Sequence, residues 1–439
     1  MSWSRRDALI AAAVFVGTFA IFATSRVHQF GDSYYSMLLS EHLLTRGSFV
    51  LDEHFRLPLD PARYAGLSIS PGGYPYQIAI VDSHAYYHFP VGSSILSVPF
   101  VAVLRAAGVS TIHGDGTWDR LGEKKMQALL ASLLMAGLAA MFFATARLLL
   151  PVGWSLAAAL LGALGTQVWS TAALALWSDT WGIFLLGAVV WMLLAHETRG
   201  RAIHAPILAT LVAWMYIVRP TNAIVVVAVG AYLCLRRPGS VLPYVGVGSL
   251  WLATFIAYSW IHFHRLLPSY YINAGLTFDR FWGPLAANLV SPGRGLFVYV
   301  PVILFVLWLT LRYRRTLPHR SLAVLAGAAA IAHLVLVSGF SPWHSGHAYG
   351  PRFMTGIVPW LFLLGVLGIR AMLECGRPPR RMLAAGATLA ALSILIQYRG
   401  AHVYATWEWN QLPPIELHAD EKVWNWRAPQ FAARPNRRD

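Results

Sequence analysis

Apolar residues fall in long runs along this chain, separated by short polar or Pro/Gly-rich breaks. Crossing a hydrocarbon layer of about 30 Å takes roughly 20 helical residues. Runs near that length predict spanning helices over 8–25, 126–147, 154–174, 181–196, 203–218, 221–235, 241–262, 297–311, 321–339, 354–373 and 382–398. In lipid every backbone N–H and C=O must be paired within its own segment, so these runs are helices. The short alternating segments of a β-barrel are not seen. One further run, 90–107, is apolar enough to be a twelfth span, but Pro90 and Pro99 interrupt it.

Composition agrees with this pattern: 57% of the 439 residues are hydrophobic and only 12% charged, against about one quarter charged in ordinary soluble domains. A formal charge of +15 raises the question of nucleic acid. The basic residues sit instead in short clusters between apolar runs, such as Arg236-Arg237 and Arg312-Tyr313-Arg314-Arg315, which is the positive-inside signature. No nucleic-acid partner is expected.

The same clusters set orientation. If 90–107 rests at the interface instead of crossing, the N-terminus is cytoplasmic and most later arginines fall on the cytoplasmic side. The outer loops before the tail then hold only Arg219, Arg265, Arg280, Arg294 and Arg352. A crossing at 90–107 would reverse the ratio. Cys234 and Cys375 both lie by predicted cytoplasmic ends, so no disulfide framework is implied. Arg5-Arg6 before an apolar stretch reads as an uncleaved first helix.

The expected architecture is an all-α polytopic membrane domain over 1–398 with a long first outer loop at 25–125, followed by a short outer-side tail at 399–439. Within that loop, 33–46 carries Tyr35, Leu38, Leu39, Leu43 and Leu44 near helical spacing, which predicts an amphipathic helix lying on the membrane.

Candidate chemistry gathers on the outer side. Asp32 either N-caps the helix that follows or serves as a general base. Asp179 stands between two apolar runs, where an ionisable group is a functional candidate and a helix cap is the plain alternative. His88 precedes a Pro-Gly turn in the same loop as Asp32. Arg219, Arg294 and Arg352 are isolated, sit beside Pro or Gly, and run against the charge rule. Guanidinium forks suit phosphate oxygens; snorkelling toward headgroups is their plain alternative. His344 and His347 have a metal-compatible spacing but no carboxylate or cysteine beside them, so no metal is expected.

Gly31-Asp32…Tyr34-Tyr35 and His88-Phe89-Pro90-Val91-Gly92 resemble the first outer loop of GT-C glycosyltransferases. The likeness is to bacterial members similar to glycosyltransferase family 39, the dolichyl-phosphate-mannose protein mannosyltransferase type. Ser291-Pro292-Gly293-Arg294-Gly295, Trp343…Tyr349-Gly350-Pro351-Arg352-Phe353 and Val423-Trp424-Asn425-Trp426 are similar to recurrent segments of those proteins. The resemblance covers most of the chain. It implies a GT-C-like bundle and inverting transfer of a hexose or pentose from a polyprenyl-phosphate-linked donor, without a cofactor. The acceptor would be a glycan, a lipid or a protein at the outer, periplasmic face of a bacterial cytoplasmic membrane.

It implies Asp32 as catalytic base and matches Asp179 to a second acidic residue of some branches. His88, Arg219, Arg294, Arg352, His344, His347 and Tyr349 complete the expected substrate-binding set. Two departures bear on donor sugar and acceptor: Ser33 follows Asp32 where the mannosyltransferases often have Asp-Glu, and the tail is short where several relatives carry a soluble domain. The rival classes are a lipid or solute transporter and a non-catalytic membrane scaffold. A transporter would place ionisable residues mid-helix and break its helices in inverted repeats, whereas here they stand at helix ends.

Overall fold

The computed structural model describes residues 4–55, 68–70, 72–200, 203–272 and 275–434. In chain order its helices are α1 (Arg5–Ala23), α2 (Ser36–Arg46), α3 (Gly92–Ala106), α4 (Arg120–Ala146), α5 (Val152–Leu164), α6 (Ser178–Arg199), α7 (Ala205–Val218), α8 (Ala223–Arg236) and α9 (Val241–Phe263). They continue as α10 (Ser269–Ile272), α11 (Trp282–Val290), α12 (Leu296–Tyr299), α13 (Val302–Arg312), α14 (Arg320–Ser338), α15 (Val358–Glu374), α16 (Arg380–His402), α17 (Ala405–Glu408) and α18 (Ile415–Val423). A small antiparallel hairpin, β1 (Ile78–Val81) and β2 (His84–Tyr87), pairs Ile78 with Tyr87 and Val81 with His84.

Every predicted span contains helix, but they are not equally long. Among the described residues, seven helices are long and apolar enough to cross a membrane, and the chain is a multi-pass membrane protein. The predicted spans at 154–174, 203–218, 221–235 and 297–311 are shorter or broken. The first stops at Leu164 and turns through a π-helical segment, Val168–Ala172. The last breaks at Val300-Pro301 between α12 and α13, where proline offers no N–H to the helix ladder.

The bundle has two chemically distinct ends. At one, Arg147 Nε at the end of α4 donates to Asp7 at the start of α1 over 2.7 Å, and Arg370 donates to the Leu149 carbonyl at 3.2 Å. These are residues that the charge pattern places inside. At the other end, the amides of Arg26 and Val27 both donate to the Ala401 carbonyl at 3.0 Å, joining the exits of α1 and α16. Asp32, Asp179, Arg219 and Arg352 meet at that same end.

The long segment between α1 and α4 has its own core of Tyr34, Tyr35, Leu38, Leu39, Leu51, Phe55, Ile78, Tyr87 and Trp118. α2 starts at Ser36 within this core, and Met37, Leu38, Leu39, Ser40, Glu41 and His42 are all buried, while Leu44 toward its far end is exposed. Its entry is fixed by Tyr35, which takes φ +70°. Its first turn is capped from another helix: Glu123 of α4 accepts the amides of Met37 at 3.0 Å and Leu38 at 2.8 Å. A helix start has orphan N–H groups that need such an acceptor.

The run 90–107 becomes α3, whose 15 residues rise about 22 Å, short of a hydrocarbon core. Its two ends stay at one end of the bundle. A Cβ on Gly92 would stand 2.7 Å from the Ile217–Val218 backbone, immediately before Arg219. Arg105, in its last turn, lies 3.2 Å from Glu41 of α2.

The segment after 398 is not a free tail. α16 continues to His402, and the chain folds back so that the Val423 carbonyl accepts the Gly293 amide at 3.0 Å. Residues 435–439 of that segment lie outside the described residues, as do 56–67 and 71 of the first loop.

Candidate active site

Two carboxylates and two guanidinium groups from four separate segments alternate in one ladder. Asp32 Oδ1 accepts from the Tyr76 hydroxyl at 3.0 Å. Its Oδ2 stands 3.4 Å from both Nη1 and Nη2 of Arg352. Arg352 Nε lies 3.5 Å from Asp179 Oδ2, and the same oxygen accepts from Arg219 Nη1 at 2.6 Å. Arg219 also donates to Thr221 Oγ1 at 3.0 Å and to Ser178 Oγ at 3.1 Å. Opposite charges alternate along the ladder, which is what allows four ionised groups to share a poorly solvated place.

Local sequence explains how each group arrives. Asp32 is released from capping because Glu123 performs that task for α2. Its main-chain carbonyl accepts from the Tyr87 hydroxyl at 2.8 Å, which ties it to β2. Asp179 enters in the first turn of α6, and Arg219 follows the end of α7 in extended backbone before Pro220. Arg352 is delivered by Gly350-Pro351. Gly350 takes φ +57°, and a Cβ there would stand 2.5 Å from the Tyr299 ring. Only glycine fits that position without displacing the ring.

Arg352 is also held from below. Its guanidinium carbon stands 3.4 Å from the centre of the Trp177 ring, a close cation–π stack. Gly31 makes room for this, since a Cβ there would already be 3.3 Å from the edge of Trp177. Side-chain exposure then falls steeply along the ladder: 38% for Asp32, 8% for Arg352 and 1% for Asp179. The open end is therefore a carboxylate backed by a stacked cation, and the closed end is an ion pair.

His88 is half-buried beside this open end. Its ring packs edge-on against Phe89 and Tyr270. Burial pulls its pKa below the ordinary imidazole range, and the charge of Asp32 opposes that shift. Tyr76 is pushed strongly upward by burial and then by Asp32, which keeps it a proton donor. Tyr270 shifts the same way through burial.

The remaining predicted residues belong to a different structure. Arg294 is 1% exposed, and neutral oxygens surround its guanidinium. Nε donates to the His344 carbonyl at 2.8 Å, Nη1 to Gly293 at 2.9 Å and Gln430 Oε1 at 2.7 Å, and Nη2 to Gly346 at 3.0 Å and Asn410 Oδ1 at 2.9 Å. This is a knot joining the 291–295 turn, the 344–350 loop and the C-terminal segment. Burial lowers Arg294 to about 10.

His344 lies buried in the knot, with Nδ1 accepting the Gly346 amide at 3.2 Å. Burial, then the charge of Arg294, lowers it to about 4. His347 faces outward and pairs with Glu416 at 3.2 Å. Tyr349 is enclosed, its hydroxyl donating to the Ile396 carbonyl at 2.7 Å. The side-chain polar atoms of Arg294 and Tyr349 are thus bonded within the protein, and His344 lies beside them in the same knot.

Three contributors escaped the sequence reading. Trp177 and Tyr76 look like ordinary interfacial aromatics, and Glu123 falls just before the predicted start of a span. The one available signal was Trp177 two residues before Asp179, within the same turn.

No protein-family model and no curated protein matches the sequence. Among solved structures, the chain is similar to the oligosaccharyltransferase of Archaeoglobus fulgidus tethered with an acceptor peptide, with a TM-score of 0.55, 12% identity, and coverage of 97% of this chain and 60% of that one. It is also similar to AglB of the same organism in complex with an inhibitory peptide and a dolichol-phosphate, at TM-score 0.51 and 13% identity, over 99% of this chain and 62% of that one. ArnT from Cupriavidus metallidurans bound to undecaprenyl phosphate aligns over 97% of this chain and 76% of that one, at 12% identity and TM-score 0.49. At these identities the likeness is one of fold: the chain has a GT-C-like fold. It spans about three fifths of the oligosaccharyltransferases it matches.

Proposed function

We propose that this chain is an inverting glycosyltransferase, moving a sugar from a polyprenyl-phosphate-linked donor to a glycan, lipid or protein acceptor at the outer face of the membrane. The observation that carries this reading is the gradient along the ladder, where Asp32 is the only one of the four charged groups substantially open to solvent. The GT-C-like fold supports it, as does the dolichol-phosphate held by the archaeal oligosaccharyltransferase of similar fold.

The chemistry needs a base for an acceptor hydroxyl and positive charge for the departing phosphate. Asp32 takes the hydroxyl proton as the acceptor oxygen attacks the anomeric carbon. The bond from that carbon to the phosphate oxygen breaks on the opposite side, so the anomeric configuration inverts. The leaving group is polyprenyl phosphate, and Arg352 stabilises its growing charge. Arg352 suits this role because its contacts to Asp32 are long, at 3.4 Å, and its plane is already fixed by Trp177. Asp179 acts as a positioning residue that holds both arginines, with Arg219 as its tightly bound partner. Tyr76 orients Asp32 by donating to Oδ1.

The test is to incubate detergent-purified protein with radiolabelled polyprenyl-phosphate sugars and an envelope extract. Transfer of label into extract, with release of polyprenyl phosphate, is expected for at least one donor. Label that remains on lipid with every hexose and pentose donor would contradict the reading.

A further inference from the structure

A second constellation lies away from the ladder, where the end of α2 meets the short helical turn Asp52–His54. His42 Nδ1, His54 Nε2 and Glu53 Oε1 converge there. The separations are 3.2 Å between the two ring nitrogens, 3.3 Å from His42 to Glu53, and 3.6 Å from His54 to Glu53. Both imidazoles are buried, at 3% and 6% exposure, while the Glu53 side chain is 39% exposed.

We propose that His42, His54 and Glu53 bind a divalent transition-metal ion of the zinc class, which clips the end of α2 to the 52–54 turn. Zinc binds imidazole nitrogen and carboxylate oxygen at about 2.0–2.1 Å, so tetrahedral ligands stand about 3.3–3.4 Å apart. The three observed edges bracket that value. The donor set, two imidazoles and one carboxylate, is one zinc accepts with a further position left for water.

Hydrogen positions strengthen the case. His54 Nδ1 lies 2.9 Å from the Gly116 carbonyl, which can only accept, so that nitrogen carries the hydrogen. In the neutral ring, Nε2 then presents a lone pair toward His42 and Glu53. A backbone carbonyl behind the coordinating imidazole is also the usual outer-shell arrangement at metal sites. The three ligand atoms face one another, and a metal ion placed between them would contact all three at once.

Among the described residues, the charged and titratable neighbours include Arg46 and Asp52. Arg46 Nε lies 3.6 Å from Glu53 Oε1, but its side chain is 65% exposed and free to turn into water. Asp52 faces away, paired with His84 at 2.6 Å. The clip closes one edge of the small core formed by Tyr35, Leu38, Leu39, Leu51 and Phe55, so its expected consequence is a firmer first loop.

The test uses the full chain, purified without a polyhistidine tag, stripped with chelator and titrated with Zn²⁺. Bound metal is measured by elemental mass spectrometry after gel filtration, with visible absorption of the Co²⁺ form as a second readout. The expected result is a single ion per chain and a rise in thermal midpoint with zinc, as for any ligand that binds only the folded state. Glu53→Gln and His42→Gln should each weaken binding by more than about tenfold, since even outer-shell partners are worth about 10–100-fold. Glu53 is open to solvent, so Glu53→Gln remains informative if His42→Gln does not fold. His347→Gln, which removes an exposed imidazole elsewhere, should keep the ion. Absence of retained zinc, retention unchanged in Glu53→Gln, or loss in His347→Gln would each overturn the proposal.

Discussion

Both terminal nitrogens of Arg352 stand 3.4 Å from one oxygen of Asp32, too far for tight charge-assisted bonds of about 2.7–2.9 Å. Asp179, one step deeper, holds Arg219 at 2.6 Å. The site thus has a loose, open pair in front and a tight, buried pair behind.

Arg352→Lys keeps a charge but loses the planar stack on Trp177 and the two-pronged geometry. Donor affinity, measured by binding of a labelled polyprenyl-phosphate sugar, should fall about tenfold. Arg352→Ala should cost about 1–3 kcal/mol of donor binding. Trp177→Ala should weaken binding in the same direction by about 0.5–2 kcal/mol, the range of a cation–π contact.

Asp179→Asn should act on stability before it acts on chemistry. It leaves Arg219 buried without its counter-charge, a change worth about 3–5 kcal/mol. Thermal unfolding in detergent should show the loss, and the double variant Asp179→Asn/Arg219→Gln should recover part of it.

Arg294 should behave unlike Arg352. Arg294→Ala or Gln430→Ala should lower stability by on the order of 3 kcal/mol, by orphaning buried hydrogen-bonding groups. At a temperature where the variant remains folded, donor affinity should be unchanged. A selective loss of donor affinity in Arg294→Ala would move that residue back into the site.

His344 gives the acid side of the stability profile its shape. Burial keeps it neutral in the folded protein down to about pH 4, against an ordinary value of 6.5. The unfolded chain takes up the proton first as pH falls. The contribution of His344 is therefore fully present above pH 6.5 and is lost as pH falls toward 4, by on the order of 3 kcal/mol. His344→Gln should flatten that limb of the thermal midpoint against pH.

The sequence made part of this legible because lipid imposes strong rules. Apolar run length placed the helices, and the charge rule exposed Arg219 and Arg352 as residues that topology does not explain. The same rule could not separate them from Arg294. A lone arginine beside glycine reads identically whether it meets a carboxylate or a ring of carbonyls, and that depends on contacts such as Arg294 to Gln430 across 136 residues. The capping alternative for Asp32 is hidden for a similar reason: α2 begins after Tyr35, and its cap arrives from Glu123, 85 residues from Leu38. Tyr76 and Trp177 gained their roles only from the fold. So did the His42, Glu53 and His54 cluster, whose members are brought together by a turn and not by a repeat spacing.

The most direct measurement is sugar transfer by Asp32→Asn with a labelled polyprenyl-phosphate donor, alongside donor binding by the same protein. Loss of a general base typically costs about 10²–10⁴-fold, so transfer should fall by at least about a hundredfold while the donor still binds. Transfer near the wild-type rate in Asp32→Asn would contradict the assignment of the base, and with it the account of the site.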